Sequence, residues 1–218
     1  MSEALSAVTS DSRRCAPLAH RTAIKAMEGA ASMAERAFLG KLVLRVDPAA
    51  GDAAVTGIIG MSLPARACTS TRQGETAILW IGPDEFWIIT APDAQTSLLA
   101  GLAEAMAGLR HQLVDVSSYY TAIELAGPRA RDMLMKLTTL DLHPRAFGAG
   151  QVAGSMFGRT QAVLWQVEAD EAEGGPLFRL FVRRSTADYL WCLLAEAGRE
   201  WGMPRQAPLA GETWQLER

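Results

Sequence analysis

Cysteine is scarce in this chain and has no pattern. Cys15, Cys68 and Cys192 are an odd number with no C-x-x-C spacing. That excludes a disulfide framework and a zinc-ribbon signature, and it fits a reducing cytosol. Lysine is equally rare, only Lys25, Lys41 and Lys136, so arginine carries nearly all the positive charge. The net charge of −3 and pI near 5.7 argue against a dedicated nucleic-acid binder, which shows a clustered basic excess. No uncharged apolar run approaches the roughly 18 residues that a membrane span needs. The opening Met1-Ser2-Glu3-Ala4 lacks the basic and apolar regions of a secretory signal. The chain therefore reads as soluble and cytoplasmic, with neither nucleic acid nor membrane as partner. H-E-x-x-H, G-x-S-x-G, G-x-G-x-x-G and P-loop motifs are also missing. Their absence removes the recognisable metalloprotease, hydrolase-elbow and phosphate-cradle chemistries.

What is present is an ordinary globular composition. With 218 residues, 49% of them hydrophobic and 21% charged, the chain can bury a core without staples, as one large domain or two small ones. Residues 1–35 show poor periodicity and read as an N-terminal arm. Residues 203–218, ending in Trp214-Gln215-Leu216, read as a C-terminal tail. Both are expected to lie on a partner surface rather than in the core.

Residues 36–202 carry an α+β pattern. Strands are predicted at Phe38–Val46, Ile78–Ile81, Phe86–Ile89, His111–Ser117, Thr121–Leu125, Val152–Phe157, Ala162–Val167 and Leu177–Val182. Helices are predicted at Ala49–Met61, along Leu98, Leu102, Met106 and Leu109, from Gly127-Pro128 along Ala130, Met133, Leu134 and Leu137, and from an N-cap at Ser185 to Trp201. Strand–turn–strand–helix over 78–109 is echoed over 162–201. The echo predicts antiparallel or mixed sheets with helices on one face, assembled from two like halves.

Few residues offer chemistry. His20, His111 and His143 are far apart and pair with no cysteine at ligand spacing. Asp141-Leu142-His143-Pro144 reads either as an acid–base pair or as a turn in which Asp141 bonds backbone amides. Asp115, in Val114-Asp115-Val116-Ser117, reads either as a ligand carboxylate at a sheet end or as a partner of Ser117 or a nearby amide. Cys192 lies about 200° around its helix from Leu190 and so faces away from the apolar stripe. It is a reactive thiol or a residue packed against another element or subunit. Trp191 sits at the edge of that stripe.

Motifs in order point to a family. Val114-Asp115-Val116-Ser117, then Gly127-Pro128-Arg129-Ala130, then Leu140-Asp141 resemble the D-V-S strand, G-P-x-A helix start and following Asp of the aminomethyltransferase (glycine-cleavage T-protein) superfamily. Pro17-Leu18-Ala19-His20-Arg21, Gly82-Pro83-Asp84-Glu85-Phe86, Leu140–Phe147 and Phe181–Ser185 with Tyr189-Leu190-Trp191 are more similar to the gamma subunits of heterotetrameric sarcosine oxidases. The resemblance implies two ferredoxin-like halves like the folate-binding core of aminomethyltransferase. It also implies a complex that demethylates sarcosine oxidatively to glycine and passes the one-carbon unit to tetrahydrofolate. FAD, FMN, NAD and tetrahydrofolate would sit on the partner alpha, beta and delta subunits, with the large alpha subunit the foremost contact.

Departures from the folate-using relatives are specific. Leu140 stands where they carry Asn before the Asp, and the hairpin Phe157–Trp165 lacks their paired aspartates. Their C-terminal barrel and the K-G-C-Y-x-G-Q-E stretch of the iron–sulfur repair relatives have no counterpart in the sequence. The expectation is a non-catalytic subunit with no catalytic, cofactor-binding or metal residues of its own. The alternative is a stand-alone folate-binding aminomethyltransferase-like protein.

Overall fold

A computed structural model describes residues 14–207. The first strand elements lie inside the segment read as an arm: β1 (Ile24–Lys25) pairs antiparallel with β2 (Ser32–Arg36). The apolar runs then build one half: β3 (Gly40–Val46), α1 (Pro48–Ile59), β4 (Ser70–Gln73), β5 (Thr76–Gly82), β6 (Glu85–Thr90), α2 (Gln95–Ala105) and β7 (His111–Asp115). α1 starts as its sequence dictates. Asp47 accepts the amide of Ala49 at 3.0 Å, Pro48 takes the first helical position, and Gly60 ends the helix at φ 79°. The second half holds β8 (Tyr120–Ala126), α3 (Ala130–Met135), β9 (Val152–Phe157), β10 (Thr160–Glu168), β11 (Leu177–Arg183) and α4 (Ala187–Ala197).

The strands form two sheets, ordered β4-β5-β6-β3-β7 and β1-β2-β8-β11-β10-β9. In the first, β3-α1-β5-β6-α2-β7 is a ferredoxin-like βαββαβ unit with β4 added at the edge. In the second, β8-α3-β10-β11-α4 repeats the unit, β9 takes the place of β4, and the fourth strand is β2. The first half is thus continuous in sequence, whereas the second takes its fourth strand from ahead of the first: β2 leads into β3, and β7 leads into β8.

Alternation along the strands explains the stacking. Leu42, Leu44, Ile78, Phe86 and Ile88 point outward to Val55 of α1 and Leu102 of α2. Their neighbours Ala77, Leu79, Trp87 and Ile89 point inward, against Ala122, Val163, Trp165 and Phe181 of the other sheet. Ile123, Leu125, Leu164, Phe178 and Leu180 cover the far side under α3 and α4. The order is helices, sheet, sheet, helices, so the expectation of helices on one face holds within each sheet while the opposite faces meet.

Several expectations are corrected. The boundary at residue 36 falls at the end of β2, and Leu18, Ile24 and Met33 are core residues rather than arm residues. Met203, from the tail, is buried in the same cluster, whereas Trp214 and Leu216 lie outside the described residues. Gly127 does not open a helix. It turns the chain at φ 120°, where a Cβ would come within 2.7 Å of the Ala30 oxygen and the Ala31 Cα, and α3 begins only at Ala130. Ser185 lies inside a 3₁₀ turn, Arg184–Thr186, that precedes α4 without a side-chain cap. α4 ends at Ala197, and Trp201 belongs to a separate 3₁₀ turn. Trp191 is fully buried, Leu193 is half-buried, and Trp80 is half-buried where Trp87 is buried.

Candidate functional site

The two passages between sheets run side by side, and three of the buried polar residues, Lys41, Ser117 and Thr121, collect there. The Val116 amide donates to the Lys41 oxygen at 2.9 Å, and the Lys41 amide donates to Ser117 Oγ at 2.9 Å. Asp115 is the residue that organises the corner: one carboxylate oxygen accepts both the Ser117 amide, at 2.8 Å, and the Ser117 hydroxyl. Of its two sequence readings, the Ser117 partnership is the one formed. The Lys41 side chain is 1% exposed and its Nζ donates to the Leu39 oxygen at 2.5 Å. Burial holds its pKa down to about 8; Asp115 acts in the opposite direction, while Arg14 and Arg184 lower it further. On β2, Glu35 accepts a hydrogen bond from Thr121 Oγ1 at 2.6 Å, and burial raises its carboxyl above the ordinary range.

Beside this corner lies a cleft of about 270 Å³, walled by Arg14, Phe38, Ser117, Tyr120, Thr121 and Arg184, among others. The Arg14 guanidinium stacks 4.8 Å from the Phe38 ring centroid and pairs with Asp93 at 2.6 Å. Arg184 Nη2 donates to the Cys15 oxygen at 2.7 Å. Phe38, at φ 61°, makes the sharp step into β3.

The remaining candidates separate. Asp141 accepts the His143 amide at 3.0 Å, and His143 Nδ1 accepts the Arg145 amide at 3.2 Å. That is the turn reading, with both side chains spent on backbone, so no acid–base pair forms. His111 Nδ1 lies 3.0 Å from the Leu109 oxygen. His20 Nε2 is 2.8 Å from Asp188 Oδ1, which also takes Arg21 Nε at 2.8 Å. Arg21 reaches on to Cys192 Sγ at 3.3 Å, so Cys192 is packed under the N-terminal segment. Burial raises its thiol pKa, the opposite of what a reactive cysteine needs. Among the described residues no group of three His, Cys, Asp or Glu is placed to hold a metal ion. No helix there is long and apolar enough to cross a membrane.

Sequence reasoning missed two buried cations. Arg131, 6% exposed, donates to the oxygens of Leu142 and Phe147, to Gln166 Oε1 at 2.9 Å and to both oxygens of Asp170. It ties the Leu140–Phe147 loop to β10, and it holds the Asp170 carboxyl below its usual range. A signal existed: Arg131 shares the inward face of α3 with Leu134, three residues on. Lys41 carried a similar one, a lysine between Leu39 and Val43 on a strand whose other charge, Arg45, stands near its exposed end.

Comparison with known proteins fits this architecture. The sarcosine oxidase gamma subunit family model matches residues 45–200. The chain is 34% identical over 188 residues to the sarcosine oxidase subunit gamma of Arthrobacter sp., an overlap of 84% of this chain and 91% of that protein. It superposes on a chain of the heterotetrameric sarcosine oxidase from Corynebacterium sp. U-96, solved with pyrrole 2-carboxylate, with a TM-score of 0.76 and 30% identity over 89% of this chain and 99% of that one. The glycine cleavage aminomethyltransferase T of Bartonella henselae shares the fold alone, with a TM-score of 0.56 and 14% identity over 78% of this chain and 46% of that one. With its family model matched over most of the sequence and its relatives covered nearly end to end, the chain belongs to the sarcosine oxidase gamma subunit family.

Proposed function

We propose that this chain is the non-catalytic gamma subunit of a cytoplasmic heterotetrameric sarcosine oxidase. The observation that carries the reading is the overlap of 99% of the matched chain in a heterotetrameric enzyme. The chemistry of the complex is oxidative demethylation of sarcosine to glycine, with the one-carbon unit passed to tetrahydrofolate. FAD, FMN, NAD and tetrahydrofolate belong to the alpha, beta and delta subunits, and the large alpha subunit is the principal contact. Two observations on this chain support a structural role. The β9–β10 hairpin carries no carboxylate from Val152 to Val167, so it offers no acid or base where folate-using relatives have one. Asp115, Asp141 and Arg131 are committed to bonds that shape the fold.

Co-expression of the tagged chain with the flavin-bearing subunits tests the reading. A stoichiometric complex that oxidises sarcosine, beside an isolated chain that is colourless and inactive, is the expected result. Failure to co-purify, or a flavin absorbance band on the isolated chain, overturns it. Saturable quenching of the isolated chain's tryptophans by tetrahydrofolate favours the stand-alone folate-binding alternative instead.

A further inference from the structure

We propose that the cleft beside the sheet crossing binds a small organic carboxylate, clasped by Arg184 and Arg14, with the buried Lys41 ammonium close by but outside the cleft wall. Charge placement is the first ground. Lys41 is 1% exposed, yet no carboxylate lies within ion-pair distance of it among the described residues, and its Nζ has one acceptor there, the Leu39 oxygen. Lysine is rarely buried without a paired charge. Arg184 is likewise without an ion pair among the described residues, its Nη2 bonding only the Cys15 oxygen. The carboxylates nearby are already engaged: Asp93 by Arg14, Asp115 by Ser117, and Glu35 by Thr121 and the Leu18 amide. Arg14 and Arg184 are close enough to Lys41 to disfavour its charge. A bound anion relieves that convergence of like charges.

Shape sets the ligand class. A cleft of about 270 Å³ lies at the small end of ligand sites and is too small for a folate. Phe38 and Tyr120 supply flat walls, which suit a planar body. Arg184 offers the planar fork that matches a carboxylate. This site is independent of the subunit assignment, because it rests on residues of this chain alone.

The test uses the purified full chain and benzoate as probe, read by calorimetry and by the fluorescence of Trp87, whose ring centroid lies 4.7 Å from that of Tyr120. Saturable one-to-one binding is expected, with benzamide binding at least about tenfold more weakly because it lacks the charge. Arg184→Gln should weaken benzoate by about tenfold or more, and Ser118→Phe should block it by filling the cleft. Arg145→Gln, remote from the cleft, should change nothing, and circular dichroism confirms that each variant is folded. No saturation by about 10 mM, equal binding of benzamide, or undiminished binding in folded Arg184→Gln and Arg14→Gln variants overturns the proposal.

Discussion

Replacing Met33 by alanine separates a core strand from a docking arm. Met33 is 1% exposed and sits on β2 opposite Leu125 of β8, in the cluster beneath α3 and α4. Truncating a buried methionine loses both its transfer free energy and the contacts around the cavity left behind, about 2–5 kcal/mol. Set against a total stability of roughly 5–15 kcal/mol, that is a large share. Six residues earlier, Met27 is 69% exposed, and its alanine variant should stay within about 0.5 kcal/mol of the parent. Urea unfolding followed by circular dichroism reads both. The Met33→Ala midpoint should fall with an unchanged slope, because the surface exposed on unfolding is nearly the same. A loss below about 1 kcal/mol, or equal losses for the two methionines, would refute the placement of β2 in the sheet. Deleting residues 1–36 should be worse than either change. It bares the edge of β8 and uncovers Ile123 and Leu125, so the truncated chain is expected to lose its cooperative transition rather than merely its assembly.

Arg131→Lys should cost about 3–5 kcal/mol in the same assay, since a point charge cannot reproduce the fork that spans Asp170, Gln166 and two carbonyls; a loss under about 1 kcal/mol would mean the loop is held by other contacts. Trp191 Nε1 is buried without a hydrogen-bond partner among the described residues, so Trp191→Phe should be neutral or stabilising within about 1 kcal/mol, while a large loss would reveal a partner for the indole. Lys41, with a folded pKa of about 8 against 10.5 unfolded, binds fewer protons in the folded state over that window. Stability should therefore rise with pH from about 8 toward 10.5, by up to roughly 3 kcal/mol. Taking the difference from Lys41→Met isolates this from Tyr120, whose phenol pKa is raised by burial; a flat difference across the window would show that the ammonium is solvated.

Much of this molecule was legible before folding was considered. β5, β6, β10 and β11 and the helices α1 and α2 follow from runs and spacings of apolar residues a few positions apart, because each periodicity is a local property of the backbone. Asp141 and Asp115 gave their turn and corner readings for the same reason: an Asx side chain reaches its own amides two residues on. The order of short motifs also carried the family. What the tertiary structure decided are the relations between segments distant in sequence. Whether Ser32–Arg36 was an arm or a strand depended on β8, some ninety residues later, whose edge supplies its hydrogen bonds. Trp191 was placed at the edge of a stripe by helical angles alone, yet Leu190, Trp191, Leu194 and Ala195 are all buried because the sheet and the N-terminal segment enclose α4 from more than one side. Lys41 and Arg131 are ordinary charged residues in the sequence. Only the crossing of β2–β3 with β7–β8 removes the water from Lys41, and only the closure of the Leu140–Phe147 loop on β10 brings Arg131 its partners. Local patterns fixed which segments pair their apolar faces, and long-range strand exchange determined where the buried charges lie.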